Sequence, residues 1–188
     1  DGIVSVEAEH FDANVEVGGH AWVETGPTGG FTGELGMHAP NPTHGGHSSN
    51  YAANSERLEY VINFVKTGPH YVWILAWAAG GSDDSCHVGL DGEERPLSSN
   101  WSGGGNNWSN GRYPETGRAQ FEVTTTGMHV LNIWVREDGL IIDKIVLTTD
   151  PDYRPTGEGP EESWRGARLK AYQPIPADGA LHEDTWVS

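Results

Sequence analysis

The sequence predicts an all-β protein, a two-sheet antiparallel β-sandwich of jelly-roll type. Three observations carry this. Runs of alternating or continuous apolar residues, each strand-sized, recur along the chain with turn signals between them. No stretch shows a helical period of useful length. The 188 residues include 26 glycines and 8 tryptophans, a composition suited to tight turns and long loops rather than helices.

The strands follow in order. Val4–Glu9 alternates. Leu58–Val65 is bounded by Asn54-Ser55 and by Thr67-Gly68-Pro69. Tyr71–Ala79 is apolar on both faces, which predicts a central strand. Ser85–Asp91 ends on the turn signal Asp91-Gly92. Phe121–Thr124, Met128–Arg136 and Ile141–Thr148 complete the set, separated by Thr126-Gly127 and Asp138-Gly139. Two long loops, Gly26–Asn54 and Arg95–Arg118, are candidates for function, because a compact domain seldom keeps such loops without one. The predicted organisation is a sandwich over 1–149, a Pro-, Gly- and acid-rich linker over 150–165, and over 166–188 the truncated start of a following module or an extended tail. Residues 150–188 are expected along the surface of the sandwich or extended from it.

Lys plus Arg number 11 and Asp plus Glu 27, a net charge of −16. That excludes nucleic acid and anionic membrane surfaces as natural partners and suits a soluble protein in salty surroundings. Clustered carboxylates make calcium a natural guest. The single cysteine, Cys86, lies in an alternating apolar run and reads as a buried, inert thiol. No segment approaches the roughly 20 apolar residues of a membrane helix. The chain opens Asp1-Gly2-Ile3, without initiator Met or signal peptide, and is read as processed or excised from a secreted protein.

Several motifs, in order, resemble calcium-containing carbohydrate-binding modules of families 6 and 35, the galactose-binding-like jelly rolls. These are Glu7-Ala8-Glu9 in the first strand; Gly68-Pro69-His70-Tyr71 through Trp77-Ala78; Leu90-Asp91-Gly92; the Trp101 and Trp108 loop; and Gly139 followed by Ile142-Asp143-Lys144-Ile145. The resemblance spans roughly residues 3–148. At the position before the Ile-Asp pair, where family 6 often uses a sugar-contacting Asn, this chain has Ile141. Glu7-Ala8-Glu9-His10-Phe11 is also similar to the C-terminal accessory domain of some xylan-side-chain glucuronidases.

Positions i and i+2 of a strand place Glu7 and Glu9 on one face, about 7 Å apart, where like charges repel unless a cation lies between them. The resemblance implies that first and last strands adjoin, which brings Asp143 to the pair. Glu7, Glu9 and Asp143 are therefore the expected ligands of a structural Ca²⁺. Sugars present C–H faces that stack on aromatic rings and hydroxyls that seek amides and charged groups. Trp101 and Trp108 are the expected stacking platforms, with Asn106, Asn107 and Arg112 on hydroxyls and Trp22 or Tyr51 as the opposing wall. Either loop Trp alone can instead fold back on the sandwich edge. Trp73, Trp77 and Trp134 lie in strands and read as core. His38, His44 and His47 match no zinc spacing and read as a Gly/His loop that can line the sugar site. Asp83-Asp84 reads as an acidic turn, with a second calcium as the sharper alternative.

No nucleophile elbow, His-Glu-x-x-His or phosphate loop is present. The expected function is a non-catalytic carbohydrate-binding module that targets a secreted polysaccharide-degrading enzyme to its substrate, monomeric and tethered to the catalytic domain. A marine galactan such as agarose is the first expected polymer, and a plant β-glycan such as xylan the second. The alternatives are a glycoside hydrolase or polysaccharide lyase domain, and a structural spacer or adhesion domain, which would not need the Trp/Asn loop.

Overall fold

A computed structural model describes residues 2–26, 32–40, 48–94, 100–102, 107–112 and 117–165, with the backbone alone for 100–102 and 112. One antiparallel sheet is built around β13 (Ile141–Thr148) and β6 (Gly68–Trp77), which pair along most of their length. On the other side of β13 lie β1 (Ile3–Glu7) at one end and β4 (Gly36–His38) at the other, and β4 carries β3 (Val23–Thr25). β11 (Gln120–Val123) and β9 (Asn107–Ser109) share the outer edge of β6. The second sheet runs in the order β10 (Gly111–Arg112), β8 (Asn100–Ser102), β7 (Ser85–Leu90), β12 (Gly127–Val135), β5 (Arg57–Phe64), β2 (Ala13–Val15). A short helix, α1 (Tyr51–Asn54), the single one among the described residues, precedes β5. Among the described residues no helix is long and apolar enough to cross a membrane.

The strand period of two sorts the side chains. Leu58, Tyr60, Ile62 and Phe64 of β5 and Leu131, Ile133 and Val135 of β12 face Val72, Ile74, Ile145 and Leu147 of the first sheet and form the core with them. Trp73 and Trp134 are buried, as expected of strand tryptophans, but by alternation they lie on the outer faces of their sheets. Cys86 is fully buried, and burial pushes its thiol well above the ordinary range.

What covers Trp73 is the segment expected to be a linker. Residues 150–165 run back across the outer face of the first sheet. Arg154 lies over the Trp73 ring at 5.4 Å, Trp108 Nε1 donates to Gly157 O at 2.9 Å, and Ser163 N donates to Ser5 O at 2.8 Å. An outer face carrying Tyr71, Trp73, Leu75 and Val146 would be costly bare; the strap removes it from water. The surface-lying alternative thus describes 150–165. The remainder, 166–188, lies outside the described residues.

Candidate functional site

Two places bring chemistry-bearing side chains together. The first is where β1, β13 and the Thr32–Leu35 turn meet. The β6–β13 register slips between Ile142 and Lys144, and such a bulge re-aims the residue within it, Asp143. Thr32 donates its backbone N–H to Asp143 Oδ2 at 2.9 Å. Its hydroxyl lies 2.9 Å from Glu7 Oε2 and 3.0 Å from Asp143 Oδ2. Glu9 Oε1 accepts from the backbone N–H of Glu34 at 3.2 Å. Gly33, at φ +65°, closes over the carboxylates: a Cβ there would stand 2.7 Å from Glu9 Oε1 and 3.3 Å from Glu7 Oε2, so this position requires glycine.

The expected Glu7, Glu9 and Asp143 do converge, but among the described residues they do not close into a finished three-ligand cluster. Glu7 Oε1 pairs with Lys144 Nζ at 2.8 Å. Two oxygens, Glu9 Oε2 and Asp143 Oδ1, are buried without a hydrogen-bond partner. Burial raises the Asp143 carboxyl to about 6; the Thr32 hydrogen bonds oppose this and the charges of Glu7 and Glu9 add to it. Uncompensated carboxylate oxygens at that density fit a hard cation.

The second place is the outer face of the six-stranded sheet. A groove of about 460 Å³ lies between α1, the Asp91-Gly92 turn and strands β5 and β12, with Arg57, Glu59 and Asn132 among its lining. Arg57 Nε donates to Glu59 Oε1 at 2.6 Å. Asn132 Oδ1 accepts from Gly92 N at 2.7 Å, which holds the turn against the sheet. Asp91 accepts from Val130 N at 2.9 Å and from His129 Nδ1 at 2.7 Å. The Glu94 carboxylate accepts from the backbone N–H of Asn50 (3.0 Å) and Ala52 (2.9 Å), joining the ends of the two long loops beside the groove. Beneath them Tyr51 stacks on His87 (3.8 Å) and meets Trp134 edge-on (5.3 Å). Gly89 gives the Trp134 ring its room: a Cβ there would lie 2.7 Å from it.

The model of the glycosyl hydrolase family 115 C-terminal domain matches residues 1–162. This chain belongs to that family. A further relative is an uncharacterized protein, P23, of Formosa agariphila, 28% identical over 85% of this chain; the chain spans about half of that protein's length (47%). Among solved structures, the GH26-CBM35 β-(1,4)-mannanase of Podospora anserina superposes with a TM-score of 0.54 at 18% identity, covering 82% of this chain and 29% of that one. The C-terminal CBM6 of LamC, a marine laminarinase of Zobellia galactanivorans, gives 0.53 at 18% identity over 78% of this chain and 99% of that one. A family 35 carbohydrate-binding module of Clostridium thermocellum gives 0.50 at 15% identity over 78% and 98%. The GH115 C-terminal domain thus shares the β-sandwich fold of carbohydrate-binding modules of families 6 and 35.

In this GH115 C-terminal domain the expected sugar residues are described only in part. Trp101 sits in β8 opposite Cys86, and Arg112 in β10 opposite Trp101; their side chains, like Asn106, lie outside the described part. Asn107 stands exposed at the start of β9, opposite Ala76. Trp108 is half-buried and folds back under the Gly157–Gly159 turn. Trp22 and Tyr51 do not form an opposing wall: they are 2% and 3% exposed, and their rings are spent on packing. His38 is held in β4, while His44 and His47 lie outside the described residues. Asp84 N donates to Glu137 Oε2 at 3.2 Å, which ties the acidic turn to the end of β12. Arg57, Glu59 and Asn132 escaped the sequence reading. Their signal is Arg57 and Glu59 alternating with Leu58 and Tyr60, and the lone polar Asn132 between Leu131 and Ile133.

Proposed function

We propose that this domain is a non-catalytic carbohydrate-binding module, a monomer tethered to the catalytic part of a secreted glycoside hydrolase, and that it holds polysaccharide in the groove on the six-stranded sheet. The observation that carries this is the side-by-side guanidinium, carboxylate and amide of Arg57, Glu59 and Asn132 in one open groove. That donor and acceptor set matches vicinal sugar hydroxyls. Glu59 is held by Arg57, and Asp91 by His129 and Val130, so these carboxylates serve as acceptors and not as a proton-relay pair facing a scissile bond. Trp101, Asn106, Asn107 and Arg112 extend the site along the loops, with Trp101 as the remaining stacking platform. Xylan moves ahead of agarose on the Glu7–Phe11 resemblance to the C-terminal domain of xylan-side-chain glucuronidases.

We further propose that Glu7, Glu9 and Asp143 hold a structural Ca²⁺, with Glu9 Oε2 and Asp143 Oδ1 as the oxygens awaiting it. The ion would tie the first strand to the last and supply no chemistry to a reaction.

The test is affinity electrophoresis through gels of xylan, agarose, laminarin, mannan and galactan, beside a reducing-sugar assay on each. Retardation in one polymer, abolished in Arg57→Ala and Asn132→Ala proteins, supports the groove. Retardation lost only in Trp101→Ala moves the site to the loops. Release of reducing sugar would establish an enzyme, and no retardation on the whole panel a spacer.

A further inference from the structure

The groove does not end at its polar residues. On β5 the outward places after Arg57 and Glu59 are Val61 and Asn63, because Leu58, Tyr60, Ile62 and Phe64 face the core. The register sets Val61 beside Val130 and Asn63 beside Met128. Val130 still lines the groove, while Asn63 and Met128 line a hollow of about 360 Å³ together with Val65 and Trp164. Groove and hollow are therefore neighbouring rows of one sheet face. From Glu59 to Val65 this face runs about 20 Å along the strand, the length of several sugar rings.

At its far end stands Trp164, 90% exposed. Its backbone is pinned from both sides. Ser163 N donates to Ser5 O at 2.8 Å, and Ser5 N donates to Ser163 Oγ at 3.0 Å. Arg165 Nη1 donates to Asp12 Oδ2 at 2.7 Å, and its other amino group donates to the His10 carbonyl. Asp12 Oδ2 also accepts from Val61 N at 2.7 Å, which fastens this end of the strap to the edge of β5. A large ring on a fixed backbone, beside the exposed Val65 and Met128, is costly in water and loses little freedom when a ligand lies on it. Such a ring suits the C–H face of a sugar, and the exposed Asn63 places an amide nearby for hydroxyls. Polar row, apolar row, then amide and ring make a track along the strands and not a pocket for one residue.

We propose that Trp164 is a further sugar platform at the far end of the groove, so that the domain holds a stretch of polysaccharide main chain several units long. This rests on the groove as the sugar site. The test is isothermal titration with the series from xylobiose to xylohexaose against the native protein, Trp164→Ala, Trp164→Phe and Asn132→Ala, each first shown folded by circular dichroism. Affinity of the native protein should climb along the series. Trp164→Ala should bind the shortest ligands normally and xylohexaose several-fold to about tenfold more weakly, the scale of one ring contact, and Trp164→Phe should restore most of the loss. Asn132→Ala should weaken every length. If Asn132→Ala weakens binding and Trp164→Ala changes nothing at any length, the groove stands and the track is overturned. Loss in Trp164→Ala alone, with Asn132→Ala binding normally, would overturn both, because the sugar would then lie only at the strap. So would the absence of binding to the whole series. A dimer of the free protein that Trp164→Ala disperses would overturn the track, because a second copy would then cover the ring.

Discussion

Asp143 sits in a β-bulge at zero exposure, close to Glu7 and Glu9, with one oxygen unsatisfied. Two changes at this residue have opposite expected signs. In chelator, Asp143→Asn removes a buried charge and should raise the melting temperature. In calcium, the same change removes a ligand and should abolish the ion's stabilisation, which grows with ion concentration in the native protein by mass action. Differential scanning fluorimetry in both buffers reads this; identical shifts would dismiss the cation. His70 gives a pH dependence. It is buried, stacks on Phe121 and meets Phe64 edge-on, and burial lowers its pKa below 6.5, with a bond to Gly68 O and the charge of Glu122 opposing and Lys66 assisting. A histidine held neutral in the fold contributes stability that is present above 6.5 and lost as pH falls through the lower folded-state value. His129, which faces the same Phe64 ring, is raised by Asp91 and acts in the opposite sense. The difference in melting temperature between the native protein and His70→Phe, followed from pH 8 to 5, isolates the His70 part and should narrow toward acid.

The strap is the element most open to test. A chain ended at Thr149 loses the bonds from Ser163 to Ser5, from Lys144 to Glu158 O, and from Trp108 to Gly157 O, and uncovers Trp73. At about 0.5–1.5 kcal/mol per hydrogen bond, the loss should reach about 2–4 kcal/mol in urea unfolding; an unchanged midpoint would return 150–165 to the status of a linker. Its packing was illegible in the sequence because Pro, Gly and acidic residues describe a segment without regular structure, not one without contacts. The seven longer strands were legible because each holds an apolar alternation or a near-continuous apolar run over at least four residues. β2, β3, β4 and β8–β10 have two or three residues each, too few to show a period, and they form only because a longer neighbour offers an edge. The carboxylate nook was half legible. Glu7, Glu9 and Asp143 could be named through a resemblance, whereas Thr32 and Gly33, which seat them, lie in a loop with no pattern to read. The groove was illegible because it needs the order of strands in the sheet, which brings Arg57 and Glu59 of β5 beside Asn132 of β12.

The whole molecule is a sandwich with three differently used surfaces: one sheet face under its own strap, one sheet face open as a groove, and one end pinned at a carboxylate nook. With 27 acidic residues against 11 basic ones, any polymer it holds must be met by local pairs such as Arg57–Glu59 and not by long-range attraction. Affinity in the groove should accordingly change little with salt. The central claim, that this GH115 C-terminal domain holds polysaccharide there, is tested most directly by isothermal titration with xylo-oligosaccharides against the native protein and Asn132→Ala. The account predicts saturable binding by the native protein and a loss of about 1–3 kcal/mol in the variant, whose circular-dichroism spectrum is unchanged. Equal heats of binding by the two proteins would contradict it, as would the absence of binding to every oligosaccharide of the polymer panel.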